Sequence, residues 1–131
     1  DTLQKWMSGD VAASPQNDDL ATITKLLKKE DGRIDWNEDA QTIERKMRAL
    51  TPWPGTWFEY NGKRIKLLKS IVSEKLDNDI GRVIKKDDRI LVACGNNTSL
   101  ELFEIQPEGK SLMKAVDFAR GQKEFVESVL K

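Results

Sequence analysis

Trp57-Phe58-Glu59-Tyr60-Asn61-Gly62-Lys63-Arg64-Ile65-Lys66-Leu67-Leu68 sets two short runs on either side of an Asn-Gly pair. Both central positions of a type I′ turn need positive φ, which Asn and Gly tolerate, so this stretch reads as an antiparallel hairpin. A two-residue loop also sets the register. Tyr60 faces Lys63, Glu59 faces Arg64, Phe58 faces Ile65 and Trp57 faces Lys66. Alternation then sends Phe58, Ile65 and Leu67 inward and leaves Trp57, Glu59, Arg64 and Lys66 on the outer face. On that face the spacing predicts a Glu59–Arg64 surface ion pair and a Lys66–Trp57 cation–π contact. The other use of an exposed Trp beside basic residues is to stack on a nucleotide.

Working outward, further strands are expected at Gly81–Ile84, Arg89–Ala93 and Leu100–Ile105, separated by the turn signals Lys85-Lys86-Asp87-Asp88 and Gly95-Asn96-Asn97. Five or more short strands predict a barrel. Upstream, Asp35 and Glu38 have capping-box spacing, and Ala40, Ile43, Met47 and Leu50 recur on one helical face, with Pro52 limiting the helix at about Thr51. Trp36 and Trp53, at the helix start and in a Pro-framed turn, are expected in or near the core. Leu3, Trp6 and Met7 predict a helix end stopped by Gly9, and Asp10 to about Thr24 reads as an extended linker. In the closing segment, from about Ser111, Val116, Ala119, Phe125, Val126 and Val129 fall at helical spacing, interrupted near Gly121.

The 131 residues, 38% hydrophobic and 34% charged, are enough for one core. Lys+Arg 22 balance Asp+Glu 22 and there is no His, so global charge points to neither a nucleic acid nor a membrane. The single Cys excludes an intrachain disulfide, suits a reducing compartment and leaves no zinc-ligand spacing. Cys94 is expected to be a small buried residue at a strand end. No apolar run approaches the ~20 residues of a membrane span. Glu101 and Glu104 read as solvent-exposed carboxylates rather than an acid–base pair. The overlapping sequons at Asn96-Asn97-Thr98-Ser99 read as a hairpin turn. Beginning Asp1-Thr2-Leu3 without an initiator Met, the chain is expected to continue an upstream portion.

A family resemblance enters at Lys29-Glu30-Asp31-Gly32-Arg33-Ile34-Asp35-Trp36, which resembles the opening of the C-terminal domain of methionyl-tRNA formyltransferases. In order and spacing there follow Arg48-Ala49-Leu50, Pro52-Trp53-Pro54-Gly55, Asn61-Gly62-Lys63-Arg64-Ile65-Lys66, Leu91-Val92-Ala93-Cys94-Gly95, Gln106-Pro107-Glu108-Gly109-Lys110, Met113 and Asp117-Phe118. The resemblance implies a mainly β fold, a Greek-key β-barrel similar to an OB-fold with an N-terminal linker and short flanking helices. Residues 1–24 would be the end of a preceding catalytic domain and the linker, and 25–131 the barrel. It implies a parent enzyme that moves a formyl group from 10-formyltetrahydrofolate to initiator methionyl-tRNA. The family's catalytic Asn, His and Asp lie in the first domain, so this chain would hold no cofactor and act through tRNA and the catalytic domain of its own polypeptide. A monomer without membrane contact is expected, in bacterial cytoplasm or an organellar matrix. Departures from the family pattern are Ile23, Thr24, Lys25 and Leu26, where Tyr and a Pro-Lys pair are usual, and Lys114, where Ser commonly caps the last helix.

Eight basic residues are the expected tRNA contacts. Lys25, Lys28 and Lys29 stand where the linker joins the barrel; Lys63, Arg64 and Lys66 stand on the hairpin; Lys110 and Lys114 belong to the closing segment. Simple solvation of charged surface is the plainer reading of each group. At the level of function, the alternative is a structural or oligomerisation barrel of a related sugar-nucleotide formyltransferase, which neutral charge would suit.

Overall fold

The hairpin forms as its sequence requires. In the computed structural model, which describes all residues from Asp1 to Lys131, Asn61 and Gly62 turn the chain with φ of 49° and 72°. They join β1 (Thr56–Tyr60) to β2 (Lys63–Val72) in the expected register, from Tyr60↔Lys63 to Trp57↔Lys66. Phe58, Ile65 and Leu67 are buried, on the inner face that alternation assigns them. β2 runs four residues beyond the expected Leu68 because register shifts around Lys69 bend it along β5.

Three more strands follow: β3 (Val83–Lys86), β4 (Arg89–Cys94) and β5 (Thr98–Pro107). β3 starts two residues later than expected, since Gly81 instead bonds from its N–H to the Ala93 carbonyl (2.8 Å) and accepts from the Leu130 N–H (2.9 Å). A two-residue β6 (Met113–Lys114) pairs with β5. The hydrogen-bonded order is β1-β2-β5-β4-β3, all antiparallel. β2 lies beside β5 rather than β3, which is a Greek-key connection, and the mainly β expectation holds.

β1 and β3 form the two ends of this path and share no ladder. The closing segment spans the gap. After α3 (Ala115–Gly121) and a 3₁₀ turn at Lys123–Phe125, the chain extends instead of continuing helically. Residues Glu127 and Ser128 exchange backbone bonds with Val83 (2.8 and 2.9 Å), and Val129 bridges to Arg82. Val129 is therefore exposed and is not on a helical face. Phe125 packs on Phe58 and Tyr60 of β1, with ring centroids at 6.5 and 4.9 Å. One aromatic anchor thus joins both ends of the sheet to a single core.

That core also takes Ala40, Ile43 and Met47 of α2 (Ala40–Ala49), the face expected from their spacing. The helix start differs from expectation. Asp39, not Asp35, caps it, accepting from the Thr42 N–H (2.9 Å) and hydroxyl (2.9 Å). Asp35 instead accepts from the Asn37 backbone and side-chain N–H groups. The Gly95 N–H bonds the carbonyls of both Trp36 and Glu38 (3.0 and 2.9 Å), holding residues 36–38 against β4 and out of the helix. Upstream, α1 (Thr2–Met7) ends before Gly9, as expected, and leaves Leu3, Trp6 and Met7 exposed. The stretch after it lacks helix or strand save one 3₁₀ turn at Asp18–Leu20.

Candidate nucleic-acid interface

The segment Lys29–Trp36 runs along the free edge of β1, with Arg33 bridged to Trp57. The Ile34 N–H donates to the Trp57 carbonyl (2.8 Å), and Trp57 Nε1–H donates to the Lys29 carbonyl (3.0 Å). Gly32 is required for this approach, because a Cβ there would sit 1.9 Å from the Gly55 carbonyl oxygen. As a result Trp57, which alternation places outside, retains only 7% exposure. Its ring is covered by the Arg64 guanidinium at 4.1 Å and flanked by that of Arg33 at 5.7 Å. The cation–π partner is thus Arg64 rather than the expected Lys66. Likewise Glu59 pairs with Arg33 (3.4 Å), which leaves Arg64 without a carboxylate.

Beside this stack lies an open groove of about 390 Å³. Lys29, Arg64 and Lys66 supply its cations, Trp53 and Trp57 its rings, and Gln106–Gly109 its far rim. Trp53 is 56% exposed, contrary to the expectation of a core position. It stands in the turn between α2 and β1, where Pro52 and Pro54 have no N–H to offer a strand, so the turn remains on the rim. A smaller recess of about 180 Å³ shares Pro107 and Glu108 with the groove and holds Lys63 and Lys110. Five of the eight expected residues therefore line two adjoining depressions. Lys114 does not join them. It lines a separate depression with Lys69, among Asp88, Glu101 and Glu104. Lys25 and Lys28 are exposed just upstream of Lys29 and line neither depression.

None of the eight forms an ion pair, whereas seven of the remaining cations do. On another part of the sheet, Glu74 binds Lys86 (2.7 Å) and Arg89 (3.0 Å), and the Lys86 hydrogen bond holds its carboxyl below the usual range. Arg89 also reaches Glu101 (3.6 Å), which is 6% exposed and so not the solvated carboxylate expected. Net neutrality thus hides a segregation: carboxylates occupy many cations elsewhere and leave those at the groove free for an anion. Only Glu108 opposes them there.

Cys94 is buried at the end of β4, as expected, and desolvation pushes its thiol up to about 12, far from a reactive thiolate at neutral pH. The Asn96-Asn97 pair has φ of 56° and 54° in the β4–β5 turn. No group of three His, Cys, Asp or Glu side chains is placed to hold a metal ion, and no helix is long and apolar enough to cross a membrane.

Fold and groove together define a small Greek-key β-domain that presents cations and aromatic rings on one face. Residues 26–123 match the family described as Formyl transferase, C-terminal domain, and the chain belongs to that family. Similar proteins include the methionyl-tRNA formyltransferase of Koribacter versatilis, 41% identical over 92% of this chain and 38% of that protein. That of Gluconacetobacter diazotrophicus is 44% identical over 88% of this chain and 37% of its own length. The chain thus spans about two-fifths of the curated relatives it matches. Among solved structures, HypX from Aquifex aeolicus in complex with tetrahydrofolic acid shares the fold, with a TM-score of 0.61, 22% identity and coverage of 97% of this chain and 22% of that one.

Proposed function

We propose that the chain is the non-catalytic, tRNA-binding C-terminal domain of a methionyl-tRNA formyltransferase. The whole enzyme would transfer a formyl group from 10-formyltetrahydrofolate to initiator methionyl-tRNA. The observation that carries the reading is the naming of its relatives, methionyl-tRNA formyltransferases at 41% and 44% identity across about nine-tenths of the chain. The groove supports it, because unpaired Lys29, Arg64, Lys66, Lys63 and Lys110 can meet phosphates without reading base edges. Lys25, Lys28 and Lys114 belong to the proposed contact set as outlying cations.

On this reading residues 1–24 are the end of the preceding domain and the linker, and residues 25–131 are the RNA-contacting domain of a monomeric enzyme of the cytoplasm or an organellar matrix. The formyl donor is a substrate of the preceding domain. This chain has no His and contributes by holding the acceptor end near the donor, an entropic contribution to rate that needs no catalytic group here. A gel shift of the chain against initiator and elongator tRNA at several salt concentrations tests the proposal. Binding that weakens by about 0.7 to 0.9 in log–log slope per phosphate, equally for both tRNAs, is expected. Absence of binding at low salt would refute it.

A further inference from the structure

The groove contains one feature that phosphate contact does not require. Trp53 is large and more than half exposed, and it is carried between two prolines whose φ is locked, so its ring is presented from a stiff turn. That turn is fastened at both sides. The Gly55 N–H bonds the Leu50 carbonyl (2.9 Å), and Gly55 abuts Gly32 closely enough to exclude a Cβ. Trp53 shares the groove with Lys29, Lys66 and the Arg64 guanidinium, which itself lies over the Trp57 ring at 4.1 Å. A rigid exposed ring, a guanidinium plane and unpaired ammonium groups around about 390 Å³ form a combination suited to a base and its phosphate, within the ~300–1,000 Å³ common for small-molecule sites.

Resting on the tRNA-binding reading, we propose that this groove takes one unpaired nucleotide of the RNA. Its base stacks on Trp53, and its backbone phosphates lie against Lys29 and Lys66. A base within a helix has both faces covered and cannot reach such a ring, so the site selects a single-stranded or looped-out position. Stacking is indifferent to base identity, because every base has a π-face. The domain would thus recognise a local break in RNA helix geometry as well as charge.

The test uses the whole chain, with fluorescence anisotropy of three labelled probes: unfractionated tRNA, a six-residue oligoadenylate and a blunt 12-base-pair RNA duplex. Oligoadenylate should bind more tightly than the duplex per phosphate. Trp53→Ala should weaken oligoadenylate and tRNA ~5- to 150-fold, while leaving the log–log salt slope and the melting temperature close to wild type, since the ring is exposed. Trp53→Phe should restore most of the loss. Lys66→Glu should instead reduce the slope. If the wild-type chain binds tRNA and Trp53→Ala binds equally well, or if the duplex is preferred, stacking is overturned and the tRNA reading stands. If the wild-type chain binds none of the three probes, both are overturned.

Discussion

Gly32 and Gly55 meet backbone to backbone, and this contact decides whether Lys29 is delivered to the groove at all. Gly32→Ala would place a methyl 1.9 Å from the Gly55 carbonyl oxygen, with no flexible side chain to give way. We expect a loss of about 1–3 kcal/mol, a value typical of overpacking, together with weaker tRNA binding as the Lys29–Trp36 segment lifts from Trp57. Urea unfolding and anisotropy would measure the two effects, and unchanged stability would show that the segment is not held as described. Neighbours on β2 divide differently. Ile65→Glu buries an unpaired carboxylate and should cost about 3 kcal/mol or more, whereas Lys66→Glu, exposed and without an ion-pair partner, should unfold near the wild-type midpoint and lose only RNA affinity. Equal midpoints for the two variants in thermal melts would contradict the inward–outward assignment.

Asp39 carries a testable pH dependence at the scale of an element. Its hydrogen bonds from the backbone and hydroxyl of Thr42 hold the carboxyl below its ordinary 3.8, since both favour the charged form. The unfolded chain therefore takes up this proton first as pH falls. The stability contributed by the cap is full above the unfolded value and is lost as pH drops through the lower folded one. In urea titrations, Asp39→Ala should be less stable than wild type at neutral pH, and the gap should narrow as the pH falls below the carboxyl's ordinary 3.8; a gap independent of pH would rule the charged cap out. That Asp39 rather than Asp35 holds this place was not legible in the sequence, because the choice is made by Gly95, just past the end of β4, whose N–H binds the Trp36 and Glu38 carbonyls. The turn and register of the hairpin and its inward residues were legible, because Asn-Gly chemistry and period-two alternation are local; the extension of β2 to Val72 and the covering of Trp57 depend on β5 and on the upstream segment. Its ion pairs were not. Arg33 arrives from an upstream segment to take Glu59, releasing Arg64 onto Trp57, and no pattern inside the hairpin reports that arrival. Trp53 misled for a related reason: size and aromaticity argue for burial, and only the geometry of the Pro-framed turn shows that nothing covers it.

For the whole molecule, zero net charge predicts no pull on RNA, yet the arrangement of ion pairs gives one face a local excess of cations. The consequence can be measured in catalysis as well as in binding. A chimera in which this chain replaces the matching 37% of the Gluconacetobacter diazotrophicus relative would carry that enzyme's remaining part and this groove. If the domain acts by holding tRNA near the reacting centre, reversing Lys29, Arg64 and Lys66 to Glu in the chimera removes ground-state and transition-state binding alike. KM for methionyl-tRNA should then rise at least about tenfold at moderate salt, with kcat changed little when tRNA is saturating. KM for the formyl donor should stay where it is, because the donor meets none of these residues. Raising the salt should bring the unreversed chimera toward the reversed one, since screening removes the same phosphate contacts. A rise in the donor's KM instead, or a KM for tRNA unmoved by three reversals, would place the RNA on another face. The depression around Lys69 and Lys114 would then be the next surface to reverse.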